Sequence, residues 1–208
     1  MSEHPATPRT RSERTADSRA LILDAAIACL VEDGYSGAST LAIQARAGVS
    51  RGRLLHHFRS REELLVAAAS HLASAHLAEV ERRAASLGAT VADEAERVDR
   101  SVELLWATFL EPPFWAAMEL WTAARTDPAL RAALRVEERQ VRTAIRAVSD
   151  QIWGPVVVAS PRYTELCEVL FTSMRGVAVV YAFEDRDAAT DRHIPLWQSI
   201  ARQLLPAS

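Results

Sequence analysis

Between Ala42 and Arg61 the chain carries five arginines (Arg46, Arg51, Arg53, Arg59 and Arg61), the imidazoles of His56 and His57, and no acidic residue. Guanidinium groups gathered on so short a segment suit charge-assisted hydrogen bonding to phosphates and base edges rather than making or breaking bonds. The sharpest part is Ser50-Arg51-Gly52-Arg53. It reads as the start of a helix, with Ser50 as cap and two arginines in the first turn. Its backbone N–H groups can receive a phosphate, its side chains can reach base edges, and Gly52 lets a duplex come close. A charge run is also what a solvated helix face looks like. Acid-free clustering on a short helix after a glycine turn favours DNA.

The elements that must hold these residues are helical. Ile22, Ala25, Ala26, Cys29 and Leu30 mark one face of a first helix that stops at Gly34. Ser39 or Thr40 can cap a short second helix, Gly48 makes a turn, and Ser50 caps a third. Ile43, Ala47, Val49 and Leu54 supply the small core between them. Ser60 and Glu63 form a capping box for a long fourth helix that ends at Gly88. Further stripes run from Val91 to Phe109, from Phe114 to about Arg125, from Pro128 to Gly154, from Tyr163 to Tyr181 and from Ile194 to Leu204. Pro155 to Ala159, between Gly154 and Pro161, reads as loop. The fold class is therefore all-α with about nine helices: a three-helix helix-turn-helix head and a larger C-terminal helical domain.

Gly34-Tyr35, Ser39-Thr40, Ile43, Ala47-Gly48-Val49-Ser50, Gly52, His57-Phe58, Ser60 and Glu62 together resemble the N-terminal motif of the TetR/AcrR family of bacterial transcriptional regulators. The resemblance covers about 45 residues. It implies a polar arm over 1–16, a DNA-binding domain over 17–66 with its motif at about 39–58, and a ligand-binding and dimerisation domain over 67–208. By position, Ser39 or Thr40, His57 and Arg61 would clamp phosphates, while Ser50, Arg51 and Arg53 face the major groove beside Gly52. Three residues depart from the family pattern. Leu55 stands where a phosphate-contacting tyrosine is usual, with His56 a possible substitute. Gln44 replaces an alanine and either reaches DNA or is simply exposed. Arg61 replaces a lysine.

Residues 67–208 hold 15 arginines against 19 acids, a poor surface for DNA. Aromatics concentrate there. By the family resemblance, Trp106, Phe109, Met118, Trp121, Phe171 and Met174 are candidates to line a small-molecule pocket, although such stripes at helical spacing are more often core. Glu119 and Arg125 are candidate polar anchors or surface ion-pair partners. The resemblance also implies a homodimer through the last two long helices, using the small residues Ser173, Gly176, Ala178 and Ala182 together with Trp197 and Leu204. The implied partners are a palindromic double-stranded operator and a small-molecule inducer.

Net charge is -3, from 24 basic and 27 acidic residues, and every basic residue is arginine. That total suggests no taste for nucleic acid, but it averages a head of +1 over residues 1–66 with a remainder of -4. The missing lysine fits codon bias. Cys29 and Cys167 lie among apolar neighbours and read as buried thiols, too few for a disulfide framework or a zinc site. No cofactor or metal is expected: His71 and His76, five apart on one helix, point to different faces. Catalytic motifs of the G-x-S-x-G, H-E-x-x-H and Gly-rich phosphate-loop types are missing, so no enzyme is expected. The remaining rival is a helical interaction module without DNA binding, against which the charged segment argues. Arg9, Arg11, Arg14 and Arg19 precede Leu21 with no apolar run between, unlike a signal peptide. No stretch is long enough to span a bilayer, so a cytoplasmic location is the expectation.

Overall fold

The computed structural model describes residues 11–91, 93–184 and 187–203. Nine α-helices occur among them: α1 (Arg11–Gly37), α2 (Thr40–Ala47), α3 (Arg51–His57), α4 (Arg61–Thr90), α5 (Glu94–Thr108), α6 (Pro112–Ala124), α7 (Pro128–Val158), α8 (Tyr163–Val180) and α9 (Ile194–Arg202). A 3-10 turn at Ala188–Thr190 precedes the last. The described residues include no strand. Helix α1 takes in Arg11–Ala16, which the sequence leaves in the arm; the rest of that arm lies outside the described residues.

The helix starts follow from local chemistry. The hydroxyl oxygens of Ser39, Ser50 and Ser60 accept from the backbone N–H groups of Ala42, Arg53 and Glu63, each three residues on. The capping box at α4 is shifted by one residue, because the Glu63 carboxylate takes the N–H of Arg59. Gly34 and Gly48 sit at φ 68° and 63°, where a Cβ would strain the backbone. Gly34 thereby breaks the helical path of α1, and Gly48 closes α2.

The described chain forms two compact units. The first takes residues up to Leu72 together with Ala116–Glu137. Its core joins Ile22, Ala26, Leu30, Ile43, Leu54, Phe58, Leu64 and Leu65 to Leu120 and Leu130. Cys29 is buried there as a free thiol. The second takes Ala73–Trp115 and the chain from Glu138 onward. Val98, Val102, Leu105, Trp106, Ile152, Trp153, Leu170, Met174 and Trp197 are buried in its core. Free Cys167 lies in the same core, where burial pushes its thiol pKa up.

One segment departs from the sequence reading. Pro155–Val158 is a helical turn rather than loop, joined to α7 across a kink at Gly154 with φ 74°. The glycine absorbs the break, and Pro155 starts the new turn, where a missing N–H costs least. Pro155 also has no hydrogen to give the Gln151 carbonyl. Helix α5 supplies donors instead: Arg97 Nη2 lies 3.5 Å from the Gln151 carbonyl, and Ser101 donates to Ile152 at 2.8 Å.

Candidate nucleic-acid interface

The first unit displays the basic segment on two short helices. Ile43 and Leu54 are buried and pin α2 and α3 to α1, while Ala47 and Val49 pack around them half-buried. This leaves Ser50, Arg51, Gly52, Arg53 and His56 exposed, with Thr40 exposed on α2. A Cβ added at Gly52 would meet nothing within 4 Å, so the first turn of α3 is a bare surface. Ser39 and Gln44 are half-buried. Ser39 uses its oxygen as an acceptor for the cap, which leaves its hydroxyl hydrogen available to an external oxygen. Leu55 is 48% exposed and offers this face only an apolar side chain.

The five arginines are not equivalent. Arg46 makes a two-bond ion pair with Glu32, both bonds at 2.7 Å, so an acid from α1 neutralises it. Arg61 turns inward. Its Nε–H donates to the Ala38 carbonyl at 2.9 Å, its Nη2 donates to the Tyr35 carbonyl, and its guanidinium stacks 4.1 Å from the Tyr35 ring centroid. Placed by family position as a phosphate clamp, it acts in this structure as a latch between α1 and α4. Arg51 and Arg53 make no ion pair with a described acid and carry the positive charge of the α3 face.

His57 is half-buried beside this face. Burial first, and then the charges of His56, Arg19 and Arg53, hold its pKa below the usual histidine range. His56 packs edge-on against it, with ring centroids 5.3 Å apart.

Tyr35, one of the motif residues, has a tying role that spacing alone does not show. Besides carrying Arg61, its backbone N–H donates to Glu119 of α6 at 2.7 Å. Its hydroxyl donates to Asp127 at 2.8 Å, and Asp127 in turn caps α7 through the N–H of Leu130 at 3.0 Å. The end of α1 is thus tied to α4, α6 and α7 inside one unit. Glu119, a candidate ligand anchor by sequence, is engaged here instead.

Of the six aromatic and methionine candidates, Trp106, Phe109, Phe171 and Met174 come together in the second unit, with Phe109 and Phe171 centroids 5.7 Å apart. Trp106 also packs 5.0 Å from Trp197 and donates its indole N–H to Ala188. Met118 and Trp121 fall on the part of α6 that belongs to the first unit, Trp121 being 40% exposed. Among the expected dimer residues, Ala178 and Trp197 are core of the protomer. Trp197 packs inward because its indole N–H bonds Ser173 at 3.0 Å. Gly176 and Ala182 are exposed, and Leu204 lies outside the described residues. No described helix is long and apolar enough to cross a membrane.

Two short helices crossing over a small core, the second offering a bare arginine face, define a helix-turn-helix DNA-binding protein. Comparison with known proteins agrees. Residues 22–68 match the family model of bacterial regulatory proteins, tetR family. The HTH-type transcriptional regulator CymR of Pseudomonas putida is 31% identical over 176 residues, 82% of each chain. The HTH-type transcriptional repressor AcnR of Corynebacterium glutamicum is 32% identical over 122 residues, 58% of this chain and 57% of that one. A TetR-family regulator of Mesorhizobium loti superposes with a TM-score of 0.68 at 18% identity, covering 96% of this chain and all of the other, a likeness of fold. This chain belongs to the TetR family and is a transcriptional regulator.

Proposed function

We propose that the protein is a repressor that binds a palindromic operator as a homodimer in the cytoplasm and is released by a small molecule. The observation that carries this reading is the first turn of α3, where Arg51 and Arg53 flank an unobstructed Gly52 with no described acid paired to them. In this assignment Arg51, Arg53 and Ser50 meet base edges. Thr40, Ser39, Gln44, His56 and His57 meet the backbone, which carries the salt dependence. DNA recognition lies within 17–66, and ligand binding and dimerisation within 67–208. The repressor name of the corynebacterial relative supports the sign of regulation.

The dimer surface is the outer face of α8, where Val169, Thr172, Gly176 and Val179 recur three or four residues apart and are all exposed, together with Phe183 in the turn that follows and Leu196 of α9. Phe183 is 75% exposed, a large apolar group that a helix-on-helix contact would cover. A two-fold axis through this face would repeat the recognition helix on successive half-sites.

A mobility-shift titration on DNA flanking the protein's own gene tests the reading. The protein should shift it specifically, and Arg53→Ala should weaken binding by about 1–3 kcal/mol and relax base preference. A footprint unchanged by Arg53→Ala would sink the assignment.

A further inference from the structure

The second unit contains a guanidinium that pairs with no described acid. Arg97 of α5 lies in a groove of about 450 Å³ shared with α4 and α7, a size in the usual range for small-molecule sites. Among the described residues its sole hydrogen bond is the long one from Nη2 to the Gln151 carbonyl at 3.5 Å. Its Nε is sealed from solvent and has no acceptor. A guanidinium has five N–H donors, and leaving it partly buried and unpaired is unfavourable. Asp150, which also lines the groove, makes no hydrogen bond or ion pair with it. That carboxylate already accepts from the Tyr163 hydroxyl at 2.6 Å and lies 3.4 Å from Arg146 Nε.

The position of Arg97 is built rather than incidental. A Cβ on Gly154 would lie 2.6 Å from its Cζ, Nε and Nη2, and one on Gly88 would lie 3.4 Å from Nη2. Glycines on two helices thus make the slot that holds the planar group. The kink at Gly154 explains why α7 has a glycine there, but one long bond to a freed carbonyl does not explain a full positive charge. Ala84, Ala85, Pro155 and Val158 supply apolar walls around it.

We infer that this groove binds a small organic acid, its carboxylate on the Arg97 guanidinium and its apolar body against Ala84, Ala85, Pro155 and Val158. A guanidinium pairs with a carboxylate through two parallel hydrogen bonds, and the apolar walls offer contact to the rest of the acid. The site deepens the ligand-responsive reading above and rests on it for regulatory meaning, although acid binding itself needs no DNA. None of the six aromatic and methionine candidates lines the groove.

Isothermal titration of the full chain with 2-naphthoate, its neutral analogue 2-naphthamide, octanoate and inorganic phosphate tests the inference. The naphthoate should bind about tenfold or more tightly than the amide and more tightly than phosphate. Arg97→Leu should remove that preference while leaving the weak amide binding in place. Ala85→Trp, at an exposed position, should block both aromatic ligands with the helical circular dichroism retained. If Arg97→Leu fails to fold, Ala85→Trp and the acid-to-amide ratio decide. Equal binding of acid and amide, phosphate binding as tight as naphthoate, an unchanged Arg97→Leu variant, or no binding of either acid at millimolar concentration would each overturn it. Wild-type protein that binds naphthoate but shifts no DNA would instead overturn the regulator reading and leave the groove standing.

Discussion

Arg61, expected at a phosphate by family position, is also engaged within the protein. Its Nε donates at 2.9 Å to the carbonyl of Ala38, which is fully buried, its Nη2 donates to the Tyr35 carbonyl, and its charge stacks on the Tyr35 ring. Hydrogen bonds from a charged donor contribute about 1.5–3 kcal/mol each, and an exposed cation–π stack about 0.5–1. Arg61 is only half-buried and water can re-solvate part of what it leaves, so the low end applies. Arg61→Met should therefore destabilise the fold by about 3.5 kcal/mol, lowering the melting temperature by roughly 7–14 °C. The assay pairs a thermal melt followed by circular dichroism with the salt dependence of DNA affinity. A latch predicts a lower melting temperature and an unchanged salt slope at temperatures where both proteins are folded. A phosphate clamp predicts the reverse, with the slope falling by about 0.9 because one phosphate is no longer neutralised. An unchanged melting temperature together with that fall in slope would refute the argument.

Three other outcomes follow from the same geometry. His57 has a pKa held below its unfolded value near 6.5, so the native state binds fewer protons than the unfolded one. Stability should therefore rise with pH through the window between the lowered pKa and about 6.5, and be lost on acidification through it. Urea denaturation of His57→Gln across that window should show a shallower pH dependence, and an identical slope would remove the inference. Asp127 is held low first by the Leu130 N–H and then by the Tyr35 hydroxyl, so its contribution is present above the usual carboxylate range and disappears as pH falls through the depressed value. Asp127→Asn should be less stable than the parent at neutral pH, with the gap in denaturation midpoint closing in strong acid. Finally, Val169→Glu combined with Phe183→Glu should convert a dimer to a monomer in light scattering after size exclusion while leaving helicity intact. A dimer that survives both changes places the interface elsewhere.

Much of the head is written locally. Ser39, Ser50 and Ser60 each bond a backbone N–H three residues away, and Gly48 adopts a left-handed conformation that other residues resist. Interactions closing over three or four residues depend on neighbours along the chain, so the sequence alone determines these helix starts, the glycine turn and the exposure of Arg51 and Arg53 between the buried Ile43 and Leu54. The uneven charge is equally legible, since it needs only counting. What the chain cannot show is which distant group reaches back. Glu32 neutralises Arg46 from 14 residues away, and the Tyr35 carbonyl takes Arg61 from 26, so two of five apparently free cations are committed elsewhere. Helix α8 is a second case. It is apolar on more than one face, and periodicity alone does not say which face turns inward. The Trp197 bond to Ser173 helps draw Ala178 and Trp197 into the core and leaves Val169, Gly176 and Phe183 outside. The same holds at Arg97, an ordinary helical arginine in the sequence. Only the fold brings two glycines, from helices α4 and α7, against its guanidinium and leaves its Nε without an acceptor. Long-range pairing and the choice between two apolar faces are decided by packing of the whole chain, because neither energy depends on residues adjacent in sequence.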